Sequence, residues 1–185
     1  MKIFQVILIF SISAALLSTG CSKHDHDHDE EELITTLIYQ LTSESDGSMV
    51  EMSFRDLDGS GGNPPVITGG ILKPNHSYKG TITVLNESVS PVEDITMEVS
   101  IAATAHQFFF ASTVSGLTVS YEDNDKDGRP LGLKTRLSTG PEGSGTLKIV
   151  LRHNPNKSAA GVSEGNIANA GGETDIEVNF PVTVQ

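Results

Sequence analysis

The chain has 185 residues and a formal net charge of −12, with 24 Asp and Glu against 12 Lys and Arg. That balance excludes nucleic acid and anionic headgroups as charge-driven partners, and it favours cations. One cysteine excludes a disulfide within the chain, so the folded part must be held by its apolar core.

The chain opens with Lys2, an apolar run from Ile3 to Leu17, the small residues Ser18, Thr19 and Gly20, and then Cys21. The apolar run is too short to cross a bilayer as a helix, which takes about 20 residues. A charged start followed by small residues reads as a signal peptide over residues 1–20. The cysteine that follows makes it a lipoprotein signal. The segment resembles a lipobox, with Ser18 where Leu is usual and Leu17 one place earlier. Cys21 is then the lipidated N-terminus of the mature protein. Two or more acyl chains, at about 0.8 kcal/mol per buried methylene, give stable attachment to a membrane. The expected location is the cell envelope, as an outer-membrane lipoprotein facing the periplasm or the surface.

Residues 22–32 alternate imidazoles and carboxylates: His24, Asp25, His26, Asp27, His28, Asp29, then three Glu. Neutral imidazole nitrogen and carboxylate oxygen are ligands that Zn²⁺, Cu²⁺ and Ni²⁺ accept. A chain that must order itself around an ion loses conformational freedom, which predicts moderate affinity and fast exchange. The plainer reading is a solvated spacer or an export signal. Neither of those roles requires three histidines.

From residue 33 the composition becomes β-rich. Leu33–Leu41, Met49–Phe54, Gly80–Leu85, Ile95–Ile101, Gln107–Ala111, Leu117–Tyr121, Gly145–Leu151 and Ile176–Val184 are β-branched and partly alternating, with Gly, Pro, Asn, Asp and Ser between them. About eight such strands predict one all-β domain over residues 33–185, an antiparallel β-sandwich. Ser53–Gly61 also lines up with Ser120–Gly128, and Gly80–Val84 with Gly145–Ile149. Asp94-Ile95 then echoes Asp175-Ile176. These matches suggest two pseudo-repeated halves of four strands, 33–101 and 102–185. The Ser-, Ala-, Gly- and Asn-rich stretch from Asn154 to Gly172 reads as a mobile loop.

Two Asp-rich turns offer oxygen ligands. Asp123, Asp125, Asp127 and Gly128 match the first half of a calcium loop, with oxygens at positions 1, 3 and 5 and a glycine at the bend. Position 12 is Lys134, where an EF-hand has Glu, and the flanks read as strands. The set could hold Ca²⁺ only with distant ligands. Asp56, Asp58 and Ser60 form a poorer version, for which a tight Asx turn is the simpler reading.

Three histidines lie in the body: His76, His106 and His153. If they meet, they form a zinc-type site with Glu98, Glu173 or Asp175 as carboxylate ligand or support. His106 and His153 are the favoured pair, since both sit near strand ends. No catalytic motif is present: no Gly-x-Ser-x-Gly elbow, no phosphate loop, no His-Glu-x-x-His. The expectation is a binding module and not an enzyme.

The tail after Cys21, the Asp123–Gly132 stretch, Leu151–Pro155 and Gly172–Ile176 together resemble a group of small Bacteroidetes lipoproteins labelled "type 1 periplasmic binding fold superfamily protein". The resemblance implies an envelope location and a role beside nutrient or metal uptake. Its label implies a two-lobed α/β ligand trap, whereas the length and strand-rich pattern of this chain point to a sandwich. The leading expectation is a lipid-anchored protein that binds a divalent metal, zinc first, and serves uptake or buffering beside an outer-membrane transporter. The alternative is a calcium-stiffened sandwich that binds a glycan or a protein, with the tail only a spacer. A weaker third is an enzyme with a zinc site in the body.

Overall fold

Period-two burial writes the strands, and it is clearest in the longest ones. The computed structural model describes residues 33–59 and 61–185. Cys21, the ligand candidates His24, Asp25, His26, Asp27, His28 and Asp29, and Ser60 lie outside the described residues. In Glu173–Val184 the residues Ile176, Val178, Phe180, Val182 and Val184 turn inward, and those between them face out or lie half-buried. In Ser77–Leu85 the inward set is Tyr78, Gly80, Ile82 and Val84. Alternate residues of a pleated strand point to opposite faces, so such a pattern gives each sheet one apolar side to bury.

Among the described residues there are ten strands: β1 (Thr36–Ser43), β2 (Met49–Arg55), β3 (Val66–Thr68), β4 (Gly70–Leu72), β5 (Ser77–Leu85), β6 (His106–Ser112), β7 (Thr118–Tyr121), β8 (Lys134–Ser138), β9 (Gly143–His153) and β10 (Glu173–Val184). One sheet runs β3-β2-β1-β5-β8-β7 and the other β4-β10-β9-β6. Every pairing is antiparallel except β10 with β4. The fold is an all-β sandwich. Leu37, Tyr39, Ile82 and Leu137 of the first sheet meet Phe108, Ile149, Leu151 and Phe180 of the second in one core. The chain changes sheets at Gly69, where a Cβ would lie 2.2 Å from the carbonyl oxygen of Pro181.

Seven of the eight expected runs are strands. The exception, Ile95–Ile101, is a short helix, α1. Its apolar residues stand at 95, 97, 99 and 101, which alternates like a strand, but 95 and 99 are also one helical turn apart. Ile95 and Val99 are buried, while Met97 and Ile101 are exposed. β8 pairs only with residues 77–81 of β5, which leaves the far end of that strand without a neighbour on this side. There the Thr96 hydroxyl accepts from Val84 N–H (2.9 Å) and donates to Val84 C=O (3.0 Å). The helix thus serves backbone groups that a further strand would otherwise have taken.

The two-half reading fails in the pairing. Both sheets mix strands from residues 33–101 with strands from 102–185. The matched turns follow β2, which lies between β1 and β3, and β7, an edge strand paired with β8 alone. Asp94-Ile95 opens α1, whereas Asp175-Ile176 lies inside β10.

The stretch 154–172 is packed, contrary to the mobile-loop expectation. Val162 and Ala170 are buried with Phe109 and Val150, and Ala159 and Ile167 pack against them. Phe109 and Val150 face away from the main core, so this loop covers the outer side of the second sheet.

Two isoleucines separate core from surface. Ile82→Ala, at a fully buried position, should lower unfolding free energy by about 2–5 kcal/mol in urea titrations. Ile101→Ala, at an 80% exposed helical position, should change it by less than about 0.5 kcal/mol. A cost at Ile101 matching that at Ile82 would mean this segment is a core strand after all.

Candidate metal centre

The end of the second sheet gathers three metal-ligating side chains. β9 ends at His153, which stands directly opposite His106, the first residue of β6. The next pairs on the same face are Phe108 with Leu151 and Phe110 with Ile149. The two histidines therefore continue the inward-facing row, at the mouth of the main core. Asp175 arrives from β10 through a β-bulge. Thr174 pairs with Arg152 and Ile176 with Leu151, so Asp175 is the extra residue between them. A bulge re-aims a side chain in this way, and here it puts a carboxylate beside the histidine pair.

The imidazole rings stack with centroids 4.8 Å apart and planes at 27°. Asp175 Oδ2 lies 3.9 Å from His106 Nε2, and Oδ1 lies 3.9 Å from His153 Nδ1. One ligand atom from each residue falls within 4.8 Å of the other two. Bond lengths of about 2.0–2.2 Å to zinc place tetrahedral ligand atoms about 3.3–3.5 Å apart, so each ring–carboxylate gap must close by about half an ångström and the widest gap in the group by up to about 1.5 Å. The side chains of His106 and Asp175 are 2% and 1% exposed and that of His153 is 17% exposed, so the approach from solvent passes over His153.

The site has a built-in orienting contact. His106 Nδ1 lies 3.1 Å from the carbonyl oxygen of Ala102. A carbonyl only accepts, so Nδ1 carries the proton and the Nε2 lone pair is turned toward Asp175. Such a contact fixes tautomer and ring angle for a metal ligand. Burial lowers the proton affinity of His106. The Ala102 contact opposes this, and the charges at His153 and Lys157 add to it. His106 is therefore neutral at neutral pH, the form that binds a metal ion. Two nitrogens and a carboxylate suit zinc or copper and leave a fourth position for water or another ligand.

His76 is not part of this group. It precedes β5 and contacts hydroxyls of the β1–β2 turn, with Nε2 2.8 Å from Ser43 Oγ and 3.0 Å from Ser45 Oγ. The expected trio of His76, His106 and His153 is thus corrected to two histidines and Asp175. Glu98 is exposed on α1. Glu173 pairs with His153 across the ladder but is exposed and outside the group.

The Asp-rich turn is satisfied by nitrogen donors. Asp123 accepts from Gly132 N–H (2.7 Å) and Lys134 N–H (2.9 Å). Asp125 Oδ1 accepts from the N–H groups of Asp127 and Arg129, both at 2.9 Å. Its Oδ2 accepts from Lys157 Nζ at 2.9 Å. Among the described residues Asp123, Asp125 and Asp127 do not form a ligand group. An ammonium sits against Asp125 where the calcium reading expected an ion. In the other turn, Asp56 accepts from Gly59 N–H and Asp58 from Asn63, as the Asx-turn reading expects.

Lys157 is the residue that sequence reasoning missed. It is 3% exposed, and it also donates to the carbonyls of Ala103 (2.7 Å) and Pro130 (2.9 Å), so all three ammonium protons are used. Burial lowers the Lys157 pKa, and the Asp125 carboxylate opposes that shift. Burial pushes the Asp125 carboxyl up, but the Arg129 and Asp127 N–H groups and the Lys157 ammonium outweigh it and hold the carboxyl below its ordinary value. A lysine in a Ser/Asn/Gly-rich stretch carries no sequence sign that it will be buried.

No known family, curated protein or solved structure matches the chain.

Two outcomes follow from these buried charges. Asp125→Ala leaves an ammonium buried without its counter-charge and should cost about 3–5 kcal/mol, while adding Lys157→Met should recover part of that loss; chemical denaturation of the two variants measures the difference. In chelator, the lowered His106 pKa means the unfolded chain binds the proton first as pH falls. Stability should drop as pH goes below about 6.5, the unfolded histidine value, and flatten once His106 titrates in the fold. Melting temperature against pH checks this. A His106→Gln profile as steep as wild type through that window would contradict it.

Proposed function

We propose that this protein is a lipid-anchored, divalent-metal-binding protein of the cell envelope, with zinc the first candidate ion. The observation that carries the reading is the convergence of His106, His153 and Asp175, with the Nδ1 of His106 engaged by Ala102. Chemistry supports it further. The net charge of −12 draws cations, and a buried carboxylate beside neutral imidazole is a stronger attractor for a divalent ion than any exposed carboxylate. The His/Asp tail from His24 to Asp29 is then a second, weaker and faster ligand set, close to a lipid on Cys21. A protein of this kind would capture or buffer ions beside an outer-membrane transporter, and it would carry out no chemistry of its own.

The test is calorimetry with zinc near pH 7.5 on mature protein, on the same protein lacking residues 22–32, and on each with His106→Gln and His153→Gln together. The tail-deleted protein should keep one tight site, which the double variant loses. Intact protein should show additional weaker binding. A tail-deleted protein with no zinc heat would defeat the body site and leave the tail alone as the metal ligand.

A further inference from the structure

The three candidate ligands occupy the stems of the loop 154–172. His153 immediately precedes it, Asp175 follows it by three residues, and His106 lies on the strand beside it. Each stem carries a left-handed backbone residue next to the ligand: Asn154 at φ 50°, and Gly171 and Gly172 at φ 59° and 68°. Gly172 passes so close that a Cβ would lie 2.1 Å from the His153 carbonyl oxygen. The Asn156 N–H donates to Ala170 C=O at 2.6 Å and holds the stems together.

The loop is docked through a hub in the segment between α1 and β6. Ala103 C=O accepts from Lys157 Nζ, and Ala105 C=O accepts from Asn154 N–H at 2.6 Å. The neighbouring Ala102 C=O is the group that orients the His106 ring. One short segment thus carries the carbonyl that contacts a candidate ligand and two of the carbonyls that anchor the loop. Beyond the hub, Gln107 Nε2 donates to Val162 C=O at 2.9 Å.

Resting on the metal reading above, we propose that ion binding at His106, His153 and Asp175 controls the docking of loop 154–172 on the second sheet. An ion joins β6, β9 and β10 at the points where the loop leaves and returns. It also strengthens the Nδ1–H···O=C contact to Ala102, because a metal on Nε2 makes the opposite N–H a better donor. Undocking must then pull Lys157 and Asn154 from a segment the ion has stiffened. The loop supplies Glu164 and Gly165 to a depression of about 250 Å³ beside Phe110 and Tyr121, so occupancy also sets the shape of that surface.

Hydrogen exchange by mass spectrometry on mature protein, with zinc or with chelator, tests the coupling. Zinc at 100 times its Kd can slow a coupled opening by up to about 100-fold. Amides 158–169 should slow at least tenfold, and the β1–β2 turn at Glu44–Ser48 should not change. His153→Gln should remove the effect. Calorimetry on the same samples separates the two claims. Zinc heat that His153→Gln removes, with unchanged exchange in the wild-type loop, overturns this inference and leaves the metal reading standing. No zinc heat overturns both. Equal slowing of loop and turn, or slowing retained in His153→Gln, also overturns the inference.

Discussion

The antiparallel ladder of β9 with its two neighbours places every group at the candidate centre. Its register against β6 sets His153 opposite His106, and its register against β10, broken once, delivers Asp175. A shift of one residue in the β6–β9 pairing would turn a histidine to the other face and put Gln107 or Arg152 in its place. The pairing is secured by the inward residues it buries, Phe108, Ile149, Leu151, Val178 and Phe180. The same apolar alternation that holds the sandwich together thus fixes the geometry at its end.

The bulge and the buried lysine show where this fold departs from the simplest alternating pattern. Both place charge where the surroundings are apolar. Such charge costs several kcal/mol per ion unless it is paired and hydrogen-bonded. Lys157 meets that condition through Asp125 and two carbonyls, and in doing so fastens the loop 154–172 to the turn 123–130. At the other cluster, a buried carboxylate lies beside two imidazoles, one of them neutral. Imidazole nitrogen and carboxylate oxygen gathered in one place are the donors a divalent cation takes, and this is the chemical ground for reading the cluster as a metal centre.

Much of the sandwich was legible because period-two alternation is a local signal. It was strong enough for β5, β9 and β10, and too weak for β3 and β4, which have three residues each and follow a Gly- and Pro-rich stretch. β8 has no clear sequence signal because Leu137 is its one apolar residue and its other inward position is Thr135. The helix at Ile95–Ile101 satisfied both periods, and only the unmet backbone of Val84 decides between them. Of the site, the pairing of His106 with His153 could be inferred from their places near strand ends, with Asp175 as one of three carboxylate options. The bulge that chooses Asp175 over Glu173 has no local signature. Nor does the burial of Lys157, which depends on contacts with Ala103, Asp125 and Pro130 far away in sequence. The Asp-x-Asp-x-Asp-Gly turn has a composition that suits both calcium and a tight turn, and here backbone N–H groups and a lysine bond the carboxylates of Asp123 and Asp125.

On the metal reading, His106 and His153 are ligands of one ion, each through a definite nitrogen. Side-chain ¹⁵N NMR of the imidazoles during a zinc titration tests it most directly. The account predicts that His106 Nε2 and His153 Nδ1 take on the shift of a metal-bound nitrogen at one equivalent, while His106 Nδ1 keeps its proton and His76 stays unchanged. Imidazole shifts confined to His24, His26 and His28, with His106 and His153 unmoved at saturation, would contradict it.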